Sequence, residues 1–216
     1  MLKLKTFDLQ GQELQEVDVD ETLVDISVNL QLIKDYLVAL RKNARQWSAN
    51  TRGRSEIAHS NAKPHPQKRT GRARQGCIKT AQYRGGATVF GPKPKHNQHV
   101  YINRKERRAA IRYLLAQKMC NGNTYVLKLD SGYKPKTKSV VHFLRAANIE
   151  NKTILFLGDT TEEMKGERKV FYLSMRNIPK THFLPITLCS GYDVMAHQNI
   201  VVFDRAVGDL INILKR

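Results

Sequence analysis

I-L-F-L-G, Ile154 to Gly158, offers no polar side chain to either face of a sheet, and a strand apolar on both faces belongs to a parallel sheet covered by helices. I-V-V-F, Ile200 to Phe203, repeats the pattern. Between them the spacing predicts a short helix near Val170 to Asn177 and a strand near His182 to Leu184. Downstream, Val207, Leu210, Ile211 and Leu214 recur at helical intervals and predict a closing helix. Upstream, Thr137 to Ala147 reads as a helix turned inward through Val140, Val141 and Leu144, and Tyr125 to Leu129 as another strand. Alternating strands and helices imply a three-layer α/β/α domain with a mainly parallel sheet.

Further out, Leu2, Leu4 and Phe7 alternate with polar residues as an opening strand, and Leu14 to Val19 alternates again after a turn at Gly11. From Asn29, the positions Leu30, Ile33, Leu37 and Leu40 predict an amphipathic helix running into Arg41, Lys42 and Arg45. Asn103, with Glu106 three residues on, has the form of a capping box. It opens a helix whose stripe is Ile111, Leu114, Leu115 and Met119, ending at Gly122. These two helices bracket a segment unlike the rest. The division expected is a globular α/β domain of residues 1–44 and 96–216, with a long extended basic loop, 45–95, inserted between the two helices.

Charge sets that loop apart. The 216 residues carry 37 Lys and Arg against 19 Asp and Glu, a formal +18. From Arg41 to Arg108 there are 18 basic residues and two acids, Glu56 and Glu106, so the remaining 148 residues are almost neutral. Between Arg45 and Lys95 the large apolar or aromatic residues are Trp47, Ile57, Ile78, Tyr83, Val89 and Phe90, beside ten Gly and Pro. Such a segment buries too little to offset its chain entropy and is expected to order on a partner. A single-sign excess of this size requires a polyanion, either nucleic acid or an anionic membrane. No apolar run nears the roughly 18 residues a membrane span needs, and the first twenty residues resemble neither a signal nor a transit peptide. The three cysteines, Cys77, Cys120 and Cys189, form no C-x-x-C pair. That argues against a disulfide scaffold or zinc ribbon and fits a reducing, cytoplasmic setting.

The densest motif is K-P-H-P-Q-K-R-T-G-R-A-R, Lys63 to Arg74. Pro64 and Pro66 hold the chain extended, and Gly71, Gly76, Gly85 and Gly86 let backbone N–H groups approach phosphate. Arginine grips phosphate with a planar fork while lysine is a mobile point charge. Trp47, His65, Tyr83 and Phe90 are candidates to stack on unpaired bases. The residues expected to bind RNA are Arg45, Trp47, Arg52, Arg54, Lys63, His65, Lys68, Arg69, Arg72, Arg74, Lys79, Tyr83, Arg84, Lys93 and Lys95. A finger of these residues, doubled back on itself, reaches at most about 80 Å.

R-Q-W-S-A-N-T-R from Arg45, the Lys63 to Arg74 motif, G-C-I-K-T from Gly76 and R-G-G-A-T-V-F-G-P-K-P from Arg84 resemble the bacterial large-subunit ribosomal protein four family. The resemblance is specific from about Arg41 to Ala110 and weaker in the flanks. It implies a structural constituent of the large ribosomal subunit that binds its 23S-type rRNA early in assembly, with the loop penetrating the RNA. It further implies a tip at Gln67, Lys68 and Gly71 lining the nascent-polypeptide exit tunnel, with Arg72 and Arg74 completing the family's G-R-A-R. Arg45 and Gln46 match the family's pair at the loop entrance, and the resemblance thus adds Gln46 and Gln67 to the residues expected to bind RNA. His65, Pro66 and Arg69 depart from the aromatic, basic and glycine residues usual there. The expected partners are large-subunit rRNA, neighbouring ribosomal proteins and the nascent peptide, with no membrane, no homo-oligomer and no cofactor.

Other chemistry finds less support. His96 and His99 make an H-x-x-H without a nearby Cys or carboxylate beyond Glu106, which is a weak metal pattern. Cys77 lies among cations but has no base beside it in sequence. Gly158-Asp159 follows a buried strand without a nucleotide-binding glycine motif, and reads as a strand-ending turn. Cys120 and Cys189 read as inert core, with Met175 and Met195 as packing. An RNA-modifying enzyme would need a cofactor loop or catalytic pair at the strand ends, and a DNA-compacting protein would need no shape-specific loop. The expectation is a non-enzymatic RNA-binding protein.

Overall fold

A computed structural model describes residues 2–94, 98–129, 133–159 and 165–215. The chain divides into two compact units, Met1–Leu40 with Tyr101–Arg216, and Arg41–Val100.

In the first unit the strands are β1 (Leu2–Asp8), β2 (Val17–Val19), β3 (Thr124–Lys128), β4 (Ile154–Gly158), β5 (Thr181–Pro185) and β6 (Asn199–Phe203). They form one sheet in the order β2-β1-β3-β6-β4-β5. Of the pairings between these strands, β1–β2 is antiparallel and the others are parallel. Central β4 and β6 are buried at all five positions, which is why their sequences lack alternation. Edge strand β5 is only partly buried and ends in Pro185, a residue tolerated there because no inner ladder needs its missing N–H.

The helices are α1 (Glu21–Val24), α2 (Leu30–Asn43), α3 (Arg104–Cys120), α4 (Thr137–Ala146), α5 (Lys165–Met175), α6 (Gly191–Ala196) and α7 (Val207–Lys215). Helices α1, α3, α6 and α7 pack on one another, and α4 packs on α5, giving the two outer layers. On the α4–α5 side a chain of rings runs Phe7, Phe143, Phe156, Phe171, Phe203, with neighbouring centroids from 4.9 to 6.5 Å apart. Its edge-on and tilted contacts are those favoured by the ring quadrupole. On the other side, the buried Tyr36 hydroxyl of α2 accepts a 3.1 Å bond from the Gly191 N–H at the start of α6. A Cβ at Gly191 would meet the Tyr36 ring at 2.5 Å, so glycine is required for that approach.

Helix ends follow local chemistry. Gly122, at φ +68, ends α3 with Gly122 N–H bonded to Met119 O and Asn123 N–H to Lys118 O, the paired bonds of a Schellman cap. Asn148, at φ +55, ends α4 in the same way, and buried Ile149 seals it.

Several expectations are corrected. Of Leu14 to Val19 only Val17–Val19 is strand, and Leu14 is exposed. Helix α2 buries Ile33, Tyr36 and Ala39, while Leu30 is exposed; Tyr36 is drawn inward by the bond that its hydroxyl accepts from the Gly191 N–H. Asn103 caps no N–H of α3, because its amide donates to the Glu106 carboxylate instead, at 3.1 Å. Helix α5 begins at Lys165, earlier than the apolar spacing indicates, because its first turn is polar in sequence. Cys120 is exposed rather than core.

Candidate nucleic-acid interface

The described part of Arg41–Val100 beyond α2 contains no strand and no further helix, and only Cys77 and Ala87 are buried within it. What gives the segment its path is a sparse set of hydrogen bonds between two antiparallel limbs. At the base Asn43 bonds Val100 through both its amide oxygen, 2.8 Å, and its amide nitrogen, 3.0 Å. Next, Thr51 N–H donates to Pro92 O at 3.0 Å, and Thr88 N–H to Arg52 O at 3.1 Å. Higher up, the Cys77 thiol donates to Ser60 O at 3.8 Å and accepts from Lys79 N–H. A side turn runs from Lys79 to Ala87, closed by Ala87 N–H on Lys79 O. Gly86 sits where any Cβ would collide with the Thr80 carbonyl, so this turn admits no other residue.

At the tip, Nε2 of His65 donates to the Ala73 carbonyl at 2.9 Å and closes the loop across eight residues. Arg69 and Gly71 both take positive φ, +67 and +64. Gly71 does so at little cost, whereas Arg69 carries a left-handed conformation that disfavours a Cβ. Gln67, Lys68, Arg69, Gly71, Arg72 and Arg74 are all exposed.

Glu56 is the single acid between Arg45 and Lys93 in the sequence. Its carboxylate binds the Lys93 ammonium at 2.5 Å and accepts from Gly53 N–H at 2.7 Å. Lys93 also donates to Thr51 O at 2.7 Å, so it joins the two limbs rather than standing free. The Lys93 ammonium and the Gly53 N–H hold the Glu56 carboxyl below its ordinary 4.5. A carboxyl with a lowered folded pKa stabilises above its unfolded value, and that contribution is lost as pH falls through the folded one. Acidification below about pH 4.5 is therefore expected to loosen the base of the limbs, and Glu56→Gln to loosen it at neutral pH. Faster amide exchange at Gly53 and Thr51 would report both, and exchange unchanged by either would refute the clamp.

The aromatic candidates divide. The Arg45 guanidinium lies 4.9 Å from the centre of the half-buried Trp47 ring, a cation–π contact that occupies one ring face. His65 is committed to Ala73, and Tyr83 is half-buried. Phe90, at φ +53, is fully exposed. Arg45, Gln46, Arg52, Arg54, Lys63 and Arg84 are exposed, and Lys79 is half-buried. Lys63 reaches Gln67 at 2.6 Å. Lys95 and His96 lie outside the described residues, and His99 is exposed. Sequence reasoning missed the clamp of Thr51, Glu56 and Pro92; a lone acid in a cationic run was the available signal.

The family model for the ribosomal protein L4/L1 family matches residues 17–213. The chain belongs to that family. It is 36% identical over 214 residues to the large ribosomal subunit protein uL4 of Moorella thermoacetica, covering 99% of this chain and 100% of the relative. It is 31% identical to the protein of the same name from Lactobacillus helveticus, with the same coverage. As a member of this family the chain is a structural constituent of the large ribosomal subunit, not an enzyme. Its place is the ribosome, in the cytoplasm. No described helix is long and apolar enough to cross a membrane.

Proposed function

We propose that the chain binds large-subunit rRNA early in assembly through residues 45–95, with Gln67, Lys68 and Gly71 at the exit tunnel beside the nascent peptide. The observation that carries this is the state of the cations. Among the described residues from Arg52 to Arg84, none of the basic side chains has an ion-pair partner, and most are exposed. A segment with two small buried residues and a handful of cross-limb bonds gains its remaining order from the polyanion around it. The chain acts as a single copy, because the cationic surface repels a second one.

Arg72 and Arg74 test the reading. Each phosphate contact adds about 0.7 to 0.9 to the slope of log affinity against log salt. Replacing both with Ala is expected to weaken rRNA binding and flatten that slope by about two units. Filter binding across a salt series measures it, and an unchanged slope would count against the assignment. Crosslinking from Lys68 in assembled subunits tests the tip.

A further inference from the structure

We propose that the globular unit also holds one unpaired RNA nucleotide, its phosphate on Arg107, Arg108 and Arg112 and its base against the half-buried Ile111 and Ile213; this rests on the RNA-binding reading above. These side chains line a cavity of about 300 Å³, at the small end of the range for ligand pockets, about 300–1,000 Å³. It admits a nucleotide and excludes a duplex.

Three observations converge. All the charged residues lining the cavity are arginines of α3, with no acid among them. Arg108 and Arg112 are one helical turn apart and so share a face, with Arg107 beside them. Nε of Arg112 is buried and finds no acceptor among the described residues, so the guanidinium in the lining still has an unmet donor. The cavity also lies toward the carboxyl end of β4. That strand is followed by α5 in one layer, while its neighbours β5 and β6 lead to α6 and α7 in the other. Such a divergence opens the crevice in which open α/β sheets bind ligands.

The lining selects the ligand class. Guanidinium forks match phosphate oxygens in pairs and stack on bases, and the aliphatic wall gives a flat base somewhere to bury. A carboxylate peptide would satisfy the arginines but leave that wall uncovered. Burial, with Asp193 nearby, pushes the Cys189 thiol on the rim up to about 12, so it stays neutral and does not repel phosphate.

The test uses the full chain. Adenosine 5′-monophosphate, inorganic phosphate and a short Asp/Glu peptide are titrated separately while the Arg112 Nε–H and the Ile111 and Ile213 methyl resonances are followed. The nucleotide is expected to move both sets and inorganic phosphate the guanidinium alone. Arg107→Ala, at an exposed position, is expected to weaken rRNA binding several-fold and flatten the salt slope by about one unit. Arg112→Leu is expected to abolish the nucleotide response. A nucleotide that moves no methyl group, or a peptide that binds in its place, overturns the proposal. So does an Arg107→Ala protein that binds rRNA like the wild type, which leaves the general reading standing. Wild-type protein that fails to bind rRNA at all overturns both.

Discussion

Excising residues 53–90 and joining Arg52 to Gly91 is expected to leave a folded globular unit that no longer enters large subunits. The junction is short, because Thr51 and Pro92 already meet through a 3.0 Å backbone bond. Every residue of the main hydrophobic core lies outside the excised stretch, from Leu4 to Ile33 and from Leu114 to Leu214. The deletion removes eight of the cationic side chains between Arg52 and Lys93, namely Arg54, Lys63, Lys68, Arg69, Arg72, Arg74, Lys79 and Arg84. With them goes most of the counterion release that drives binding to a polyanion. Circular dichroism should show a cooperative melt close to that of the intact chain, and gradient sedimentation should find the protein absent from large subunits. Normal incorporation would refute the proposed role of the limbs.

Phe156→Ala is expected to cost the globular unit about 3–5 kcal/mol. Phe156 is fully buried in β4, with Phe171 at 5.2 Å and Phe143 at 6.5 Å between ring centroids. Truncation opens a cavity where α4, α5 and the sheet meet, and packed neighbours relax only partly into it. Since domains are stable by about 5–15 kcal/mol, much of the margin disappears. Urea unfolding should show the midpoint falling steeply, and a loss under about 1 kcal/mol would mean that the ring chain is not the core it is described to be.

Much of the architecture was legible in the chain itself. Strands β4 and β6 declare themselves because burial on both faces leaves no room for polar side chains, and the Arg45 to Lys95 segment because it has almost nothing to bury. The partner class follows from the same charge partition. Less legible was anything set by a distant neighbour. Tyr36 faces inward because Gly191, 155 residues later, offers an N–H and no Cβ. Asn103 fails as a cap because Glu106 takes its amide. Lys93 and His65, read as RNA contacts, are bound within the limbs to Glu56 and Ala73.

Local composition and periodicity thus determined which segments are strands, which are helices and which stretch seeks a polyanion, since each depends on the burial available to a short window. Only the tertiary structure decided which cations remain free, which aromatic ring stands exposed and where three arginines of α3 meet an aliphatic wall. Those outcomes depend on which groups the fold brings within bonding distance, and pairing across tens of residues leaves no mark in any one window.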